Sequence, residues 1–439
     1  MMLIALLAIA CSGAGLVAAG LPRREGDLGL RIALGGALGL GTWSALYAAQ
    51  WLAFGARGTA VKDLLLIAIG AALFWTARRS QTFSGRSQRF FARSQTFSAA
   101  PADAPRWLTA LFAAACVLTA LLFVEHTLRF PDGGWDAWML WNLRARFLVR
   151  AADPAAAFSP RMLFWAHQDY PWLLPGVVTQ VFLLLGESYA APAVVAFVFG
   201  SLLVALVALF IARSHGRRAG LLAGLALCGM PCFVTFAANQ QADVPLALFL
   251  FAAAALLELA EDSRTILLAG FAAGLAAWTK NEGAVYALCL AAGLLILRRK
   301  ALLPFLLGAA PGFALLISFK LLAAPPSAFV GESALFRAFD PHRWLELSLL
   351  ILRRIFYFQD FALWIVAWLA ALTIFRRKLV SPLGVSLALA FASCAGIYLV
   401  QPQPLDWIFR TSADRLFIQL WPLAILLTLP ALSKARART

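Results

Sequence analysis

Residues 189–218 read YAAPAVVAFVFGSLLVALVALFIARSHGRR. Positions 189–211 carry no charge, and then Arg213, Arg217 and Arg218 arrive together. A run of this length suits a helix crossing a bilayer, whose hydrocarbon core needs roughly 20 apolar residues. The pattern recurs along the chain. Of 439 residues, 62 % are hydrophobic and only 13 % charged, with a mean hydropathy of +0.81. Apolar runs stand near 2–20, 32–54, 62–77, 107–125, 189–211, 219–237, 243–260, 265–279, 284–297, 302–322, 360–375, 379–400 and 414–431. Backbone groups in hydrocarbon must bond within their own segment, which helices do. The expected fold class is therefore all-α, a multi-pass transmembrane helical protein of about 13 spans.

The basic residues set its orientation. Arg23/Arg24, Arg78/Arg79, Arg217/Arg218, Arg298/Arg299/Lys300, Arg376/Arg377/Lys378 and the tail Lys434/Arg436/Arg438 follow alternate runs. That face reads as cytoplasmic, because short cytoplasmic loops hold the Lys/Arg excess. It carries 22 of the 37 Lys+Arg and 6 of the 21 Asp+Glu, so it holds the whole net charge of +16; the other face balances 15 against 15. Charge asymmetry of this kind accounts for the high pI of about 10.4 without nucleic-acid binding. The first run lacks a basic residue before it and has Arg23/Arg24 after it, unlike a signal peptide. The expectation is an uncleaved first span with the N-terminus outside and the C-terminus cytoplasmic. The six cysteines all lie within apolar runs and form no metal or disulfide pattern.

Three units are expected: a three-span unit over 1–78, a basic cytoplasmic linker over 79–106 and a membrane core over 107–439. The linker contains RSQTFSGRSQRFFARSQTFS (79–98), in which Arg79, Arg86, Arg93 and Phe83, Phe90, Phe97 each recur every seven residues. On a helix this makes two stripes suited to anionic headgroups; a low-complexity linker is the plainer reading. Two loops of the core, 126–188 and 323–359, lie on the outer face and are short enough for amphipathic helices on the membrane surface. In the second, WLELSLLILRRIFYF (344–358) sets an apolar face against Glu346, Arg353 and Arg354.

Polar residues gather at the outer ends of the spans. Asp132 and Asp136 come first, then His167 and Asp169 in HQDYPWLLP. Asn239, Gln240, Gln241 and Asp243 follow in NQQADVP, then Lys280, Asn281 and Glu282 in TKNEG, and Arg410, Asp414 and Arg415 in RTSADR. Any one such turn is ordinarily a solvated turn. Lys280, however, breaks the positive-inside pattern, and Asp414-Arg415 opens the last span with a charge pair. Five outer turns can converge on one site at the membrane interface. The first contains WDAWMLWNLRAR (135–146), a carboxylate among tryptophans with an Asn and two Arg behind it. Trp135, Trp138 and Trp141 are three apart and would share a helix face, anchoring it at the interface. Asp136 lies about 100° from that face. It is either held ready for a lipid-borne substrate or is only a helix-start residue favoured by the dipole.

This layout resembles the GT-C superfamily of integral-membrane glycosyltransferases, and more closely the branch of the protein O-mannosyltransferases and lipid A aminoarabinose transferases. The stretch after Asp136 (AWMLWNLRA), His167-Gln-Asp-Tyr-Pro171-Trp-Leu, Asp243-Val-Pro-Leu, Lys280-Asn-Glu-Gly and Arg415-Leu-Phe resemble, in order, that family's outer-face motifs across roughly 107–431. The resemblance departs at the broken His-Pro-Pro stretch, at Asp-Ala where the family has Asp-Glu, and in three extra N-terminal spans.

The resemblance implies a bacterial inner-membrane glycosyltransferase, its active site facing the periplasm. Its partners would be a polyprenyl-phosphate-linked sugar, membrane lipids and a hydroxyl acceptor of the cell envelope. Asp136 would be the general base and Asp243 a second catalytic carboxylate that orients hydroxyls. Lys280, Arg415 and Arg410 would meet the phosphate, while His167, Asp169, Asn281 and Glu282 would bind substrate. No cofactor is required by this reading; a divalent cation on Asp136, His167 and Asp243 stays open. A transporter or flippase of a lipid-linked precursor is the alternative, and would need polar groups at mid-membrane, where the sequence has none. A non-catalytic scaffold is the third reading, and would leave the outer-face acids dispensable.

Overall fold

The computed structural model describes residues 1–24, 26–55, 60–84, 104–151, 153–159, 167–326, 333–356 and 379–435. Every regular element among them is helical. Most of the linker and the run at 360–375 lie outside the described residues. In chain order the elements are α1 (Met2–Gly20), α2 (Leu28–Phe54), α3 (Ala60–Ser84), α4 (Arg106–Arg129), α5 (Asn142–Arg150), α6 (Leu173–Leu185) and α7 (Ala190–His215). Then come α8 (Arg217–Cys228), α9 (Pro231–Ala238), α10 (Asp243–Leu259), α11 (Ser263–Thr279), α12 (Asn281–Leu297) and α13 (Arg299–Leu322). α14 (Ala334–Ala338), α15 (Pro341–Phe356), α16 (Pro382–Val400) and α17 (Leu405–Ala435) complete the chain.

Seven of the described helices, α1–α4, α7, α13 and α16, are long and apolar enough to cross a membrane. The count becomes eight if α8 and α9, bent by 68° at the break before Pro231, form one span. Of the thirteen apolar runs, that at 360–375 lies outside the described residues, and three others form short helices. α10, α11 and α12 have 17 residues each, about 25 Å at 1.5 Å per residue, short of a hydrocarbon core of about 30 Å. They are packed among other helices, and a hydropathy window does not separate a buried apolar helix from a lipid-facing one. α10 is the extreme case, with every residue from Asp243 to Leu257 buried. A helix apolar on all sides belongs at the centre of a bundle, and α7, α11 and α17 pack around it.

α11 and α13 pack tightly together, and glycine permits it. A Cβ on Gly270 would collide with the Phe305 carbonyl, and one on Gly308 with that of Leu267. The first three helices are tied to the rest at both ends. The Thr265 hydroxyl donates to the Gly20 carbonyl (2.8 Å) at one end, and Ser44 donates to the Leu173 carbonyl (2.6 Å) toward the other. Lys62 and Asp63 are buried where α3 begins; the Trp43 indole N–H donates to Asp63 at 2.8 Å and Lys62 pairs with the same carboxylate. The helices alternate in direction. One side of the bundle therefore carries the start of α1 together with Lys280 and Asp243, and the opposite side carries the starts of α2 and α11 and the end of α17.

The two long loops are not alike. α15 is amphipathic as expected, with Leu347 buried and Trp344, Leu345, Leu349 and Leu352 exposed. The 126–188 loop instead folds inward. α6, not expected as a helix in the core, has Leu173–Gln180 buried and packs on α2, α5 and α7. The tryptophan triplet also departs from expectation. Trp135 and Trp138 are exposed and meet edge to face at 4.8 Å, but Trp141 is fully buried against Tyr170, 5.9 Å between centroids. Ala137–Trp141 form a π-helical turn. Its wider turn, closed by i→i+5 bonds, rotates Trp141 off the face of the other two.

Candidate functional site

The site begins with a staple between two loops. Gln240 adopts a positive φ of 57° ahead of α10, a rare conformation for a side-chain-bearing residue. Its side chain accepts from Asn142 Nδ2 at 2.7 Å and donates to the Pro131 carbonyl at 3.1 Å. The Gly134 N–H donates to the Asn239 carbonyl at 3.1 Å, and His126 Nε2 lies 2.7 Å from Asn239 Oδ1. Gly133 has φ 78°, and a Cβ there would stand 2.7 Å from the Asn239 carbonyl oxygen. These contacts hold the 131–142 stretch on the 239–243 turn, which brings Asp136 beside Asp243.

Asp243 is the first residue of α10, and its side chain is fully buried. Its carboxylate accepts from Lys280 Nζ (2.9 Å), Arg415 Nε (3.1 Å) and Gln419 Nε2. Arg415 and Gln419 lie one turn apart on α17, so both reach the same carboxylate. The other arm of the guanidinium takes Asp136, with Nη1 2.5 Å from Oδ2. Arg415 thus bridges two carboxylates from separate elements. Asp136 (22 % exposed) and Arg415 (19 %) reach the surface, whereas Lys280 (3 %) sits behind them. A buried pair of this kind needs several good contacts to offset desolvation, and Asp243 has three.

A second chain of contacts leads away from Lys280, which stands in extended conformation between α11 and α12. Its ammonium lies 3.4 Å from Glu282, whose Oε1 accepts from the Tyr170 hydroxyl at 3.2 Å. Asn281 donates to Asp169 Oδ2 at 3.0 Å, and Lys320, in the last turn of α13, pairs with the same oxygen at 3.1 Å. His167 has φ 40°, and its carbonyl accepts from Arg144 Nη2 (2.8 Å) and from the Tyr170 N–H (3.0 Å). Its ring meets the Tyr170 ring at 5.5 Å. Burial lowers the His167 pKa, against the nearby Asp169, Asp136 and Glu282, so the imidazole is neutral at pH 7. Burial also pushes the Tyr170 hydroxyl well above its ordinary range, keeping it a donor, and lowers the buried Arg144 to about 10.

The structure therefore brings together Asp136, His167, Asp169, Asp243, Lys280, Asn281, Glu282 and Arg415. It does not bring Arg410, which is exposed and pairs with Asp406 (2.6 Å) one turn earlier on α17. The helix starts at Leu405, not near 414, and five helical residues turn about 500°, leaving Arg410 and Arg415 about 140° apart. Asp414 and Arg415 are not paired with each other either: Asp414 takes Arg354 of α15. Asp132 stands aside, 3.7 Å from Arg146. Among the described residues no three His, Cys, Asp or Glu side chains are grouped to hold a metal ion, so Asp136, His167 and Asp243 do not form such a set.

Four members were not singled out from the sequence. Tyr170 lay within the quoted HQDYPWLLP stretch, Arg144 within WNLRAR, and Gln419 one turn after Arg415. Lys320 shares the signal that marked Lys280, a lysine on the face that otherwise lacks net positive charge. The completed cluster sets Asp136, Asp169, Asp243 and Glu282 against Arg144, Lys280, Lys320 and Arg415, four charges of each sign.

A family model described as dolichyl-phosphate-mannose-protein mannosyltransferase matches residues 169–322. The matched stretch contains Asp169, Asp243, Lys280, Asn281, Glu282 and Lys320, and leaves out Asp136, His167, Arg410 and Arg415. No curated protein and no solved structure matches the chain. By this match, on an all-helical chain with several helices fit to cross a membrane, the protein is similar over 169–322 to the dolichyl-phosphate-mannose-protein mannosyltransferases, a likeness that supports a GT-C membrane glycosyltransferase.

Proposed function

We propose that the protein transfers a hexosyl or pentosyl group from a polyprenyl-phosphate donor to a hydroxyl acceptor of the cell envelope, lipid, glycan or protein. The site faces the periplasm from a bacterial inner membrane, with the N-terminus outside and the C-terminus cytoplasmic. The observation that carries the reading is the Arg415 guanidinium, held by Asp243 behind it (3.1 Å) and by Asp136 at the surface (2.5 Å). Arg415 is then a fixed cation at the mouth of the site, beside a carboxylate able to take a proton.

In the proposed reaction the acceptor oxygen attacks the anomeric carbon and its proton passes to Asp136. The bond from that carbon to the phosphate oxygen breaks, its electron pair leaves with the phosphate, and Arg415 meets the developing charge. Lys280 was expected at the phosphate as well. Being buried, it acts at one remove: it shares the Asp243 charge and so leaves more of the Arg415 charge for the leaving group. Asp243 accordingly positions Arg415. His167, Asp169, Asn281, Glu282 and Tyr170 form the neighbouring polar wall, with donors and acceptors suited to sugar hydroxyls. The charge asymmetry between the two faces supports the orientation.

The test is the purified protein in proteoliposomes with a radiolabelled polyprenyl-phosphate sugar. Label should leave the polyprenyl phosphate and appear on a hydroxyl acceptor. Label that crosses the bilayer still joined to the polyprenyl phosphate would replace this reading with the transporter.

A further inference from the structure

A second charged place lies at the opposite end of the bundle from Asp136 and Arg415. There the end of α1, the start of α2 and the last turns of α3 enclose a cavity of ≈ 580 Å³. Four arginines line it, Arg23, Arg24, Arg31 and Arg78. The carboxylate in its lining is Asp27, which is buried and already held by Arg213 of α7 at 2.9 Å. Glu25 lies outside the described residues. Arg24 pairs at 3.2 Å with Glu261, and both are exposed. Arg31 donates to the Leu21 carbonyl at 2.8 Å, closing the end of α1, and a guanidinium has further N–H donors to offer. Arg78 lies over the Phe74 ring, 4.8 Å from its centroid. Arg23 is exposed and has no ion pair among the described residues. Counted by charge alone, with Glu25 included, Arg23, Arg24, Arg31, Arg78 and Arg213 outnumber Glu25, Asp27 and Glu261 by five to three, so positive charge is in excess here.

The surroundings say what form of anion suits it. Leu28, Phe74, Ala18 and Ala77 share the lining with the arginines. Ile32 and Trp75, one turn along α2 and next to Phe74 on α3, are exposed apolar side chains. A ligand with a phosphate head and apolar tails can meet both surfaces at once, whereas free phosphate uses only the arginines. Basic pockets between membrane helices on the cytoplasmic side are suited to such headgroups.

We propose that this cavity binds the phosphate headgroup of an anionic membrane lipid from the leaflet on that side. Arg23, Arg31 and Arg78 hold the phosphate, and the tails lie along Ile32 and Trp75. A lipid seated there joins α1, α2 and α3 at the point where the chain leaves α3 for the basic linker, whose Arg/Phe repeat begins at Arg79. The proposal depends on the membrane setting and not on the reaction at the other face.

The experiment is native mass spectrometry of the full chain in detergent, titrated with phosphatidylglycerol, with phosphatidylcholine of the same chains, and with inorganic phosphate. The wild type should retain phosphatidylglycerol in preference to phosphatidylcholine and should not be saturated by inorganic phosphate. Arg23→Gln with Arg78→Gln should weaken retention at least about tenfold, the scale of one lost charge-assisted contact. Arg129→Gln, an exposed arginine on the other face, should leave it unchanged. Should the double variant fail to fold by circular dichroism, Arg23→Gln alone is used, with a weakening of about threefold or more expected for an exposed cation. Equal retention of the two lipids, unchanged retention in the folded variant, or saturation by inorganic phosphate alone would each overturn the proposal.

Discussion

Replacing Arg415 by lysine keeps a positive charge but removes the planar fork. In the native site Nη1 stands 2.5 Å from Asp136 and Nε 3.1 Å from Asp243. One ammonium on a flexible stem does not reproduce two such contacts in fixed directions. If it turns inward to Asp243, Asp136 loses its partner and the mouth of the site loses its cation. If it turns outward, Asp243 keeps Lys280 and Gln419 but loses one charge-assisted bond, worth about 1.5–3 kcal/mol when left unreplaced. The inward choice is the favoured one, because the Asp243 side chain is fully buried and Asp136 is not. Arg415→Lys should then keep most of its thermal stability and lose turnover by about 10²–10³, the range for one lost donor to developing charge. Arg415→Gln should lose both, with stability down by about 1.5–3 kcal/mol. The assays are thermal unfolding in detergent and label transfer in proteoliposomes, run on both variants. Arg415→Lys with near-native turnover would refute the reasoning, since charge alone would then suffice and the bridge would be incidental.

Gly133→Ala should cost about 1–3 kcal/mol through its positive φ and the Asn239 carbonyl 2.7 Å from the new Cβ; thermal unfolding and turnover should both fall, and an unchanged variant would mean that the two loops need no staple. Burial holds the His167 pKa below its ordinary 6.5, so its contribution to stability is complete above that value and declines as pH falls below it. Melting temperature followed from pH 8 to pH 5 should show this loss, and His167→Gln should reduce it. Arg410→Ala should change stability by no more than about 0.5 kcal/mol and leave turnover within about twofold, because its i,i+4 partner Asp406 is also exposed.

Much of this arrangement was legible in the sequence, and the exceptions have local causes. An uncharged run such as 189–211 has few alternatives to a membrane helix, so the fold class followed directly. The gathering of Asp136, Asp243, Lys280 and Arg415 followed from topology, since alternate turns of alternating helices share a face. Side-chain direction was less accessible. The π turn at Ala137–Trp141 sends Trp141 inward, and no residue pattern in AWMLW announces it. Arg410 and Arg415 looked equivalent because both stand near the start of the last apolar run. The helix that separates them by about 140° begins nine residues earlier than its apolar run. Lys320 was hidden differently, as one lysine closing an apolar run, a position where an interface anchor is the ordinary expectation. Only the fold shows that it reaches Asp169, 151 residues away in sequence.

Asp136 is the proposed general base, and Asp132 is its natural control, four positions earlier and tied to Arg146 at 3.7 Å instead of Arg415. Asp136→Asn retains shape and much of the hydrogen bonding but not the capacity to take the acceptor's proton. The decisive measurement is turnover and donor binding for Asp136→Asn and Asp132→Asn, purified and assayed side by side in proteoliposomes. Asp136→Asn should fold, bind the donor and lose turnover by about 10²–10⁴, with Asp132→Asn close to the wild type. Near-full turnover in Asp136→Asn, or loss confined to Asp132→Asn, would contradict the proposed role of Asp136.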